Sequence, residues 1–106
     1  MVTLKVRGDT PTQKLAGAIV KHLRDGEEVS VSAIGYFALQ RAIRACVGAR
    51  RFLKQDEEKS DLIIQPDILD VVFEDSAEGK GKSCVILHIY RTSFDETKEV
   101  HDHLNK

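Results

Sequence analysis

The chain has 106 residues, 42% hydrophobic and 31% charged, enough for one domain with a small packed core. No apolar run approaches the roughly 18 residues of a membrane span and no basic-then-apolar leader opens the sequence, so no membrane partner is expected. The net charge of -1 excludes a uniformly basic nucleic-acid coat, yet it hides an asymmetry: residues 1–54 carry ten Lys or Arg against four acids, and residues 55–79 carry nine acids against one lysine. Such asymmetry points to polyanion binding, to head-to-tail association, or to solvated faces that neutralise each other across the fold.

Val2-Thr3-Leu4-Lys5-Val6-Arg7 alternates apolar and polar side chains, the period of a half-buried strand, and Gly8-Asp9-Thr10-Pro11 breaks it. Thr10, Pro11 and Gln13 read as a capping box, with threonine at the N-cap and proline in the first helical position. The stripe Leu15, Ala16, Ile19, Val20 and Leu23 then predicts a helix from about Pro11 to Asp25, stopped by Gly26. Glu28 to Ile34 alternates again, a second strand ended by Gly35. A long helix follows from about Tyr36 to Lys54. Its expected apolar face is Leu39, Ala42, Ile43, Cys46 and Leu53, while Arg41, Arg44, Gly48 and Arg51 fall together on another face. Ala38, Ala42, Ala45, Gly48 and Ala49 make this helix slim enough to approach a sheet or a second helix closely.

Gln55 to Ser60 is a polar, acidic connection. Asp61–Gln65 and Ile68–Glu74 form one strand or two around Pro66, whose missing N–H suits an edge or a bulge. Asp75 to Lys82 is a loop by composition, and Ser83 to Arg91 is a strand that closes a hairpin with the one before it. Residues 92–106 form a C-terminal tail, where Ser93 and Glu96 make another capping box for a short helix from about Phe94 to Leu104. The order β-α-β-α-β-β predicts an α/β two-layer sandwich over residues 1–91. Two helices pack on one four-stranded mixed sheet, parallel in its first part and antiparallel in the last hairpin.

Candidate sites follow the positive charge. A helix N-terminus favours phosphate, and at the first helix Lys5, Arg7, Thr12 and Lys14 add charge and a hydroxyl, opposed by Asp9. The bland alternative is that Thr10 and Gln13 simply cap the helix. Arg41 and Arg44 suit phosphate, and equally suit carboxylates from the acidic 55–79 stretch of a partner subunit. Arg50 lies nearer the apolar face and reads as a structural ion-pair partner of Asp61 or Asp70. Lys80 and Lys82 sit at the hairpin tip with Asp75 and Glu78 weakening their field. Four Phe, two Tyr and no Trp argue against a base-stacking platform, although Tyr36 and Phe37 stand where one would be needed.

Other chemistry is thinly represented. Cys46 and Cys84 are too few for a disulfide framework and read as core packing in a reducing compartment, cytoplasmic or nuclear. His88, His101 and His103 lack thiolates or a second pair, so no metal is expected, and no cofactor either. The absence of a nucleophile–base spacing and of a phosphate-binding glycine loop argues against an enzyme. Arg7-Gly8-Asp9 matches an adhesion triplet by chance.

Leu4-Lys5-Val6, Pro11, Ala16-Gly17-Ala18, Ala33-Ile34-Gly35, Ala38-Leu39, Ala42, Ala45, Ala49-Arg50, Phe52, Asp61-Leu62 and Pro66 together resemble the bacterial stage V sporulation protein S family. The match runs to about Arg91 and is densest in AIGYFALQRAIRACVGARRF. A fainter similarity extends to the Alba chromatin proteins, which share the β-α-β-α-β-β plan and a glycine opening the second helix. The loop before the first helix lacks the adjacent lysine pair of the archaeal chromatin proteins. The resemblance implies an Alba-like homodimer that binds DNA or RNA, with Lys80 and Lys82 matching the reaching hairpin. The leading expectation is therefore a weakly sequence-specific module contacting phosphates through Lys5, Arg7, Lys14, Arg41, Arg44, Lys80 and Lys82. The slim second helix and the last hairpin are its expected dimer contacts. The alternative is a regulatory protein–protein interaction module without nucleic-acid affinity; a small-molecule phosphate binder comes third, lacking a catalytic group.

Overall fold

The two alternating segments become β1 (Val2–Val6) and β2 (Val29–Ile34), paired in parallel from Val2 opposite Val29 to Val6 opposite Ala33. In this computed structural model, residues 1–56, 58–71 and 82–93 are described, Val71 and Lys82 by their backbone alone. Parallel neighbours need a crossover, and α1 (Thr12–Arg24) supplies it. A second helix, α2 (Tyr36–Lys54), leads to β3 (Ser60–Val71), and β4 (Lys82–Ser93) returns between β2 and β3, antiparallel to both. The strand order is β1-β2-β4-β3. The expected architecture, two helices on a four-stranded mixed sheet, is the one observed.

Proline does not split β3. Pro66 stands opposite Leu87 within an unbroken register from Ser60–Ser93 to Val71–Lys82. As an outer strand β3 needs ladder bonds on one side alone, which leaves room for a residue without an N–H. β4 runs on through Thr92 and Ser93, past the expected boundary at Arg91, because both residues keep cross-strand partners in Asp61 and Ser60. The hairpin tip with Lys80, and the rest of the tail with its anticipated helix, lie outside the described residues.

Alternation decides which side chains meet the helices. Val6, Val29, Val31, Ala33, Leu87 and Ile89 point to one face of the sheet and are buried under Leu15, Ala16, Ile19, Val20 and Leu23 of α1. From α2 the buried set is Ala38, Ala42, Ala45, Cys46, Ala49 and Leu53. Ile43, expected in that set, is 43% exposed. The alanine face wins because α2 packs tightly: a Cβ at Gly48 would lie 3.2 Å from the Ala16 Cβ, so α1 and α2 approach at the distance two small residues permit. The slim face is thus covered within the chain and is not available to a second copy. Among the described residues, no helix is long and apolar enough to cross a membrane.

Candidate nucleic-acid interface

Because β1 and β2 are parallel, the helices that follow them begin at the same end of the sheet. Neither is capped by a side chain, and neither has an acid in its first turn. At α1 the anticipated capping box does not form. The Thr10 hydroxyl instead accepts the Arg7 backbone N–H at 2.8 Å, and the Thr10 N–H donates to the Arg7 carbonyl at 3.1 Å. The threonine therefore closes the turn between β1 and α1. At α2 the N-cap is Gly35 with φ +91°, a left-handed conformation that favours glycine and brings no side chain to cap with. The first α-helical bonds are Leu15 N–H to the Pro11 carbonyl and Leu39 N–H to the Gly35 carbonyl, both 3.1 Å. The N–H groups of residues 12–14 and 36–38 precede them and have no helical acceptor. Two positive dipole ends thus share one end of the molecule.

The sequence-predicted cations divide among several settings. Lys14 lies in the first turn of α1, exposed, and Arg7 is exposed in the turn before it. Arg44 is exposed on α2. None of the three has an ion-pair partner among the described residues. Arg41 does something different: its Nε donates to the Gly8 carbonyl and its Nη1 to the Thr10 carbonyl at 3.0 Å, tying the β1–α1 loop to α2. Lys5 sits between Leu4 and Val6, which face the helices, and so belongs to the opposite, helix-free face of the sheet. Lys82 opens β4 two residues before Cys84, the partner of Ile34 at the end of β2, which sets its backbone at the helix-start end.

Sequence reasoning missed the carbonyl targets of Arg41. It also passed over the contact between the loop and the aromatic entrance to α2, where a Cβ at Gly8 would meet the Phe37 Cβ at 3.3 Å. Tyr36 and Phe37 stand exposed beside each other, ring centroids 5.6 Å apart at 76°.

The opposite end of the sheet is internally neutralised. Arg24 grips Asp56 through two bonds of 2.6 and 3.2 Å, and Arg91 approaches the same carboxylate at 3.5 Å. Arg50 forks onto Asp61 at 2.7 and 3.1 Å, the first of its two anticipated partners; Asp70 instead accepts the Ser83 hydroxyl at 3.2 Å. The hydrogen bond to Asp61 raises the Arg50 pKa above its already high ordinary value, against the lowering effect of burial. Both cysteines are buried and free, and desolvation pushes the Cys46 thiol up to about 11. His88 shares a 3.0 Å hydrogen bond with Ser30. Among the described residues, no group of three or more His, Cys, Asp or Glu is placed to hold a metal.

Comparison with curated protein sequences gives no match. Among solved structures the chain is similar to Alba from Thermoplasma volcanium, with a TM-score of 0.58 and 16% identity over 84% of this chain and 99% of that one. At that identity the likeness is one of fold. The family model for stage V sporulation protein S matches residues 2–91, and the chain belongs to that family.

Proposed function

We propose that this protein binds nucleic acid, DNA or RNA, as a homodimer that contacts phosphates with little sequence preference. One observation carries the reading: two uncapped helix N-termini, free of acids in their first turns, open at one end of the sheet beside Arg7 and Lys14, with Arg44 two turns along α2, and none of the three cations has an ion-pair partner among the described residues. Backbone N–H groups, dipole ends and unpaired guanidinium groups together favour phosphate over a neutral ligand. Lys80, outside the described residues, and Lys82, the first residue of β4, are proposed as further phosphate contacts. Arg41 contributes by holding the loop in place, and Lys5 serves a path that wraps onto the helix-free face.

The surface proposed for the second copy is the outer flank of α2. Ile43 and Val47 are exposed there on the side of the helix that carries Arg50, which reaches across to Asp61 of β3. Ile68, 63% exposed, adds to the patch from the helix-bearing face of β3, where its register partner is Val85. The competing reading, a protein-interaction module pairing basic helix with acidic stretch between subunits, is weakened because Asp56 and Asp61 already have arginine partners within the chain.

The test is fluorescence anisotropy with labelled duplex DNA, duplex RNA and single-stranded RNA across a salt series. With ~4 to 6 phosphates engaged, log K on duplex DNA falls against log salt with a slope of roughly -4 to -5. A folded protein with no affinity for any probe, or a flat slope, refutes the proposal and leaves the interaction module.

A further inference from the structure

We propose that Tyr36 and Phe37 form a stacking platform for unpaired bases, so that this end of the fold prefers single-stranded nucleic acid to duplex; the inference rests on the reading of that end as a phosphate-binding site. The two rings are 72% and 69% exposed, and apart from Met1 they are the most exposed large apolar side chains described. Neither belongs to the core, where the first turn of α2 is represented by Ala38. Folding alone gains nothing from two aromatic rings held in water.

Their surroundings fit a nucleotide. The Phe37 Cβ lies close to Gly8, and the Arg41 guanidinium fixes the Gly8 and Thr10 carbonyls to the same helix, so the residue that carries the ring adjoins a braced loop. An edge-to-face pair leaves ring surface open for a planar partner. Tyr36, Gln40 and Arg44 succeed one another at four-residue steps along α2, which puts a guanidinium without an ion pair among the described residues about 12 Å along the helix from the aromatic entrance. Asp9, exposed in the loop next to Gly8, adds a negative charge to this entrance that opposes a phosphate but not a neutral base. A duplex keeps its base faces stacked internally and cannot use the rings. A single strand can.

The experiment measures anisotropy on three labelled probes at one salt concentration: an oligo-dT strand, an abasic strand with the same number of phosphates, and a duplex of the same length. The wild-type protein should bind oligo-dT tighter than the abasic strand by about 5- to 150-fold, the equivalent of one stacked base. Phe37→Leu, which keeps an apolar side chain against Gly8, and the double variant Tyr36→Ala/Phe37→Ala should abolish that preference while abasic affinity stays unchanged. Equal affinity of the wild type for both strands overturns the platform and leaves phosphate binding standing. Variants that weaken the abasic strand as much as oligo-dT also overturn it. Failure to bind any probe overturns the platform and the phosphate reading together.

Discussion

Arg41 and Arg44 lie one turn apart on α2, and alanine at each should produce opposite phenotypes. Arg41 donates to two loop carbonyls, Gly8 and Thr10, across more than thirty residues of sequence. Hydrogen bonds from a charged donor contribute roughly 1.5–3 kcal/mol each when shielded. This guanidinium is only half-buried, so water recovers part of the loss, and the pair together is worth about 1–3 kcal/mol. At roughly 4–8 °C per kcal/mol for a small domain, Arg41→Ala should lower the melting temperature by about 5–20 °C. Arg41→Lys keeps the charge, but a single ammonium lacks the fork that spans both carbonyls, so it should melt near the alanine variant. Arg44→Ala removes an exposed side chain without an ion pair among the described residues, and should change stability by no more than about 0.5 kcal/mol. Its effect should appear in the salt dependence of binding, flattening the slope by about 0.9 for each phosphate that Arg44 neutralises. Thermal melts by circular dichroism and anisotropy titrations across salt measure the two separately. If Arg41→Ala melts with the wild type, or Arg44→Ala melts as low as Arg41→Ala, the division between a loop tie and a phosphate contact is wrong.

Arg50→Met should cost about 3–5 kcal/mol in chemical denaturation, because it takes the guanidinium away from a carboxylate that is 1% exposed and keeps the Leu62 N–H as a donor, while Asp61→Asn should cost less, since the partly exposed Arg50 can turn to water. Equal costs would contradict that asymmetry. Ile43→Glu/Val47→Glu places two charges in the proposed dimer flank without touching the core of the single chain, and sedimentation should find a folded monomer for the variant and a dimer for the wild type. A folded double variant that still sediments as a dimer would put the interface elsewhere. For Cys46, folding raises the thiol from 9.0 to about 11, so the unfolded chain loses its proton first as pH rises. The stabilisation is complete below pH 9 and lost between pH 9 and 11. Urea midpoints should therefore fall more steeply across that window in the wild type than in Cys46→Ala, and parallel curves would refute the assignment.

The elements most legible in the sequence are those whose ends have a local cause. The range Tyr36–Lys54 for α2 follows from Gly35 before it and the polar run after it, and the structure has the same bounds. Burial on that helix was less legible. Periodicity defines a stripe but not its centre, and only the close packing of Gly48 on Ala16 shows that the alanines, not Ile43, face inward. The Thr10 hydroxyl had two competing local uses, a helix cap or a turn, and spacing does not choose between them. Arg41 was beyond local inference altogether, since its acceptors are backbone carbonyls that carry no residue signature. Among site residues, the sequence could place Arg7 and Lys14 near the start of α1 and Arg44 on the arginine stripe of α2, but the assignment of Lys5 to the other face depends on strand register.

The charge asymmetry along the chain acquires a spatial meaning once the pairs are known. The acids just after α2, Asp56 and Asp61, meet Arg24, Arg91 and Arg50 at the end of the sheet where both helices finish. Those arginines would otherwise dilute any positive field across the whole surface. Neutralising them at one end leaves Arg7, Lys14 and Arg44 concentrated at or near the other, where the parallel β1–β2 pair has already aligned two dipole ends. A near-neutral chain can therefore present a local anion site, and its field should be directional: strong along the helix starts and weak elsewhere. Such a protein gains little from bulk charge and depends on how a strand is laid across one end of the fold. That dependence is why braced geometry, the Arg41 tie above all, matters more here than the number of cations.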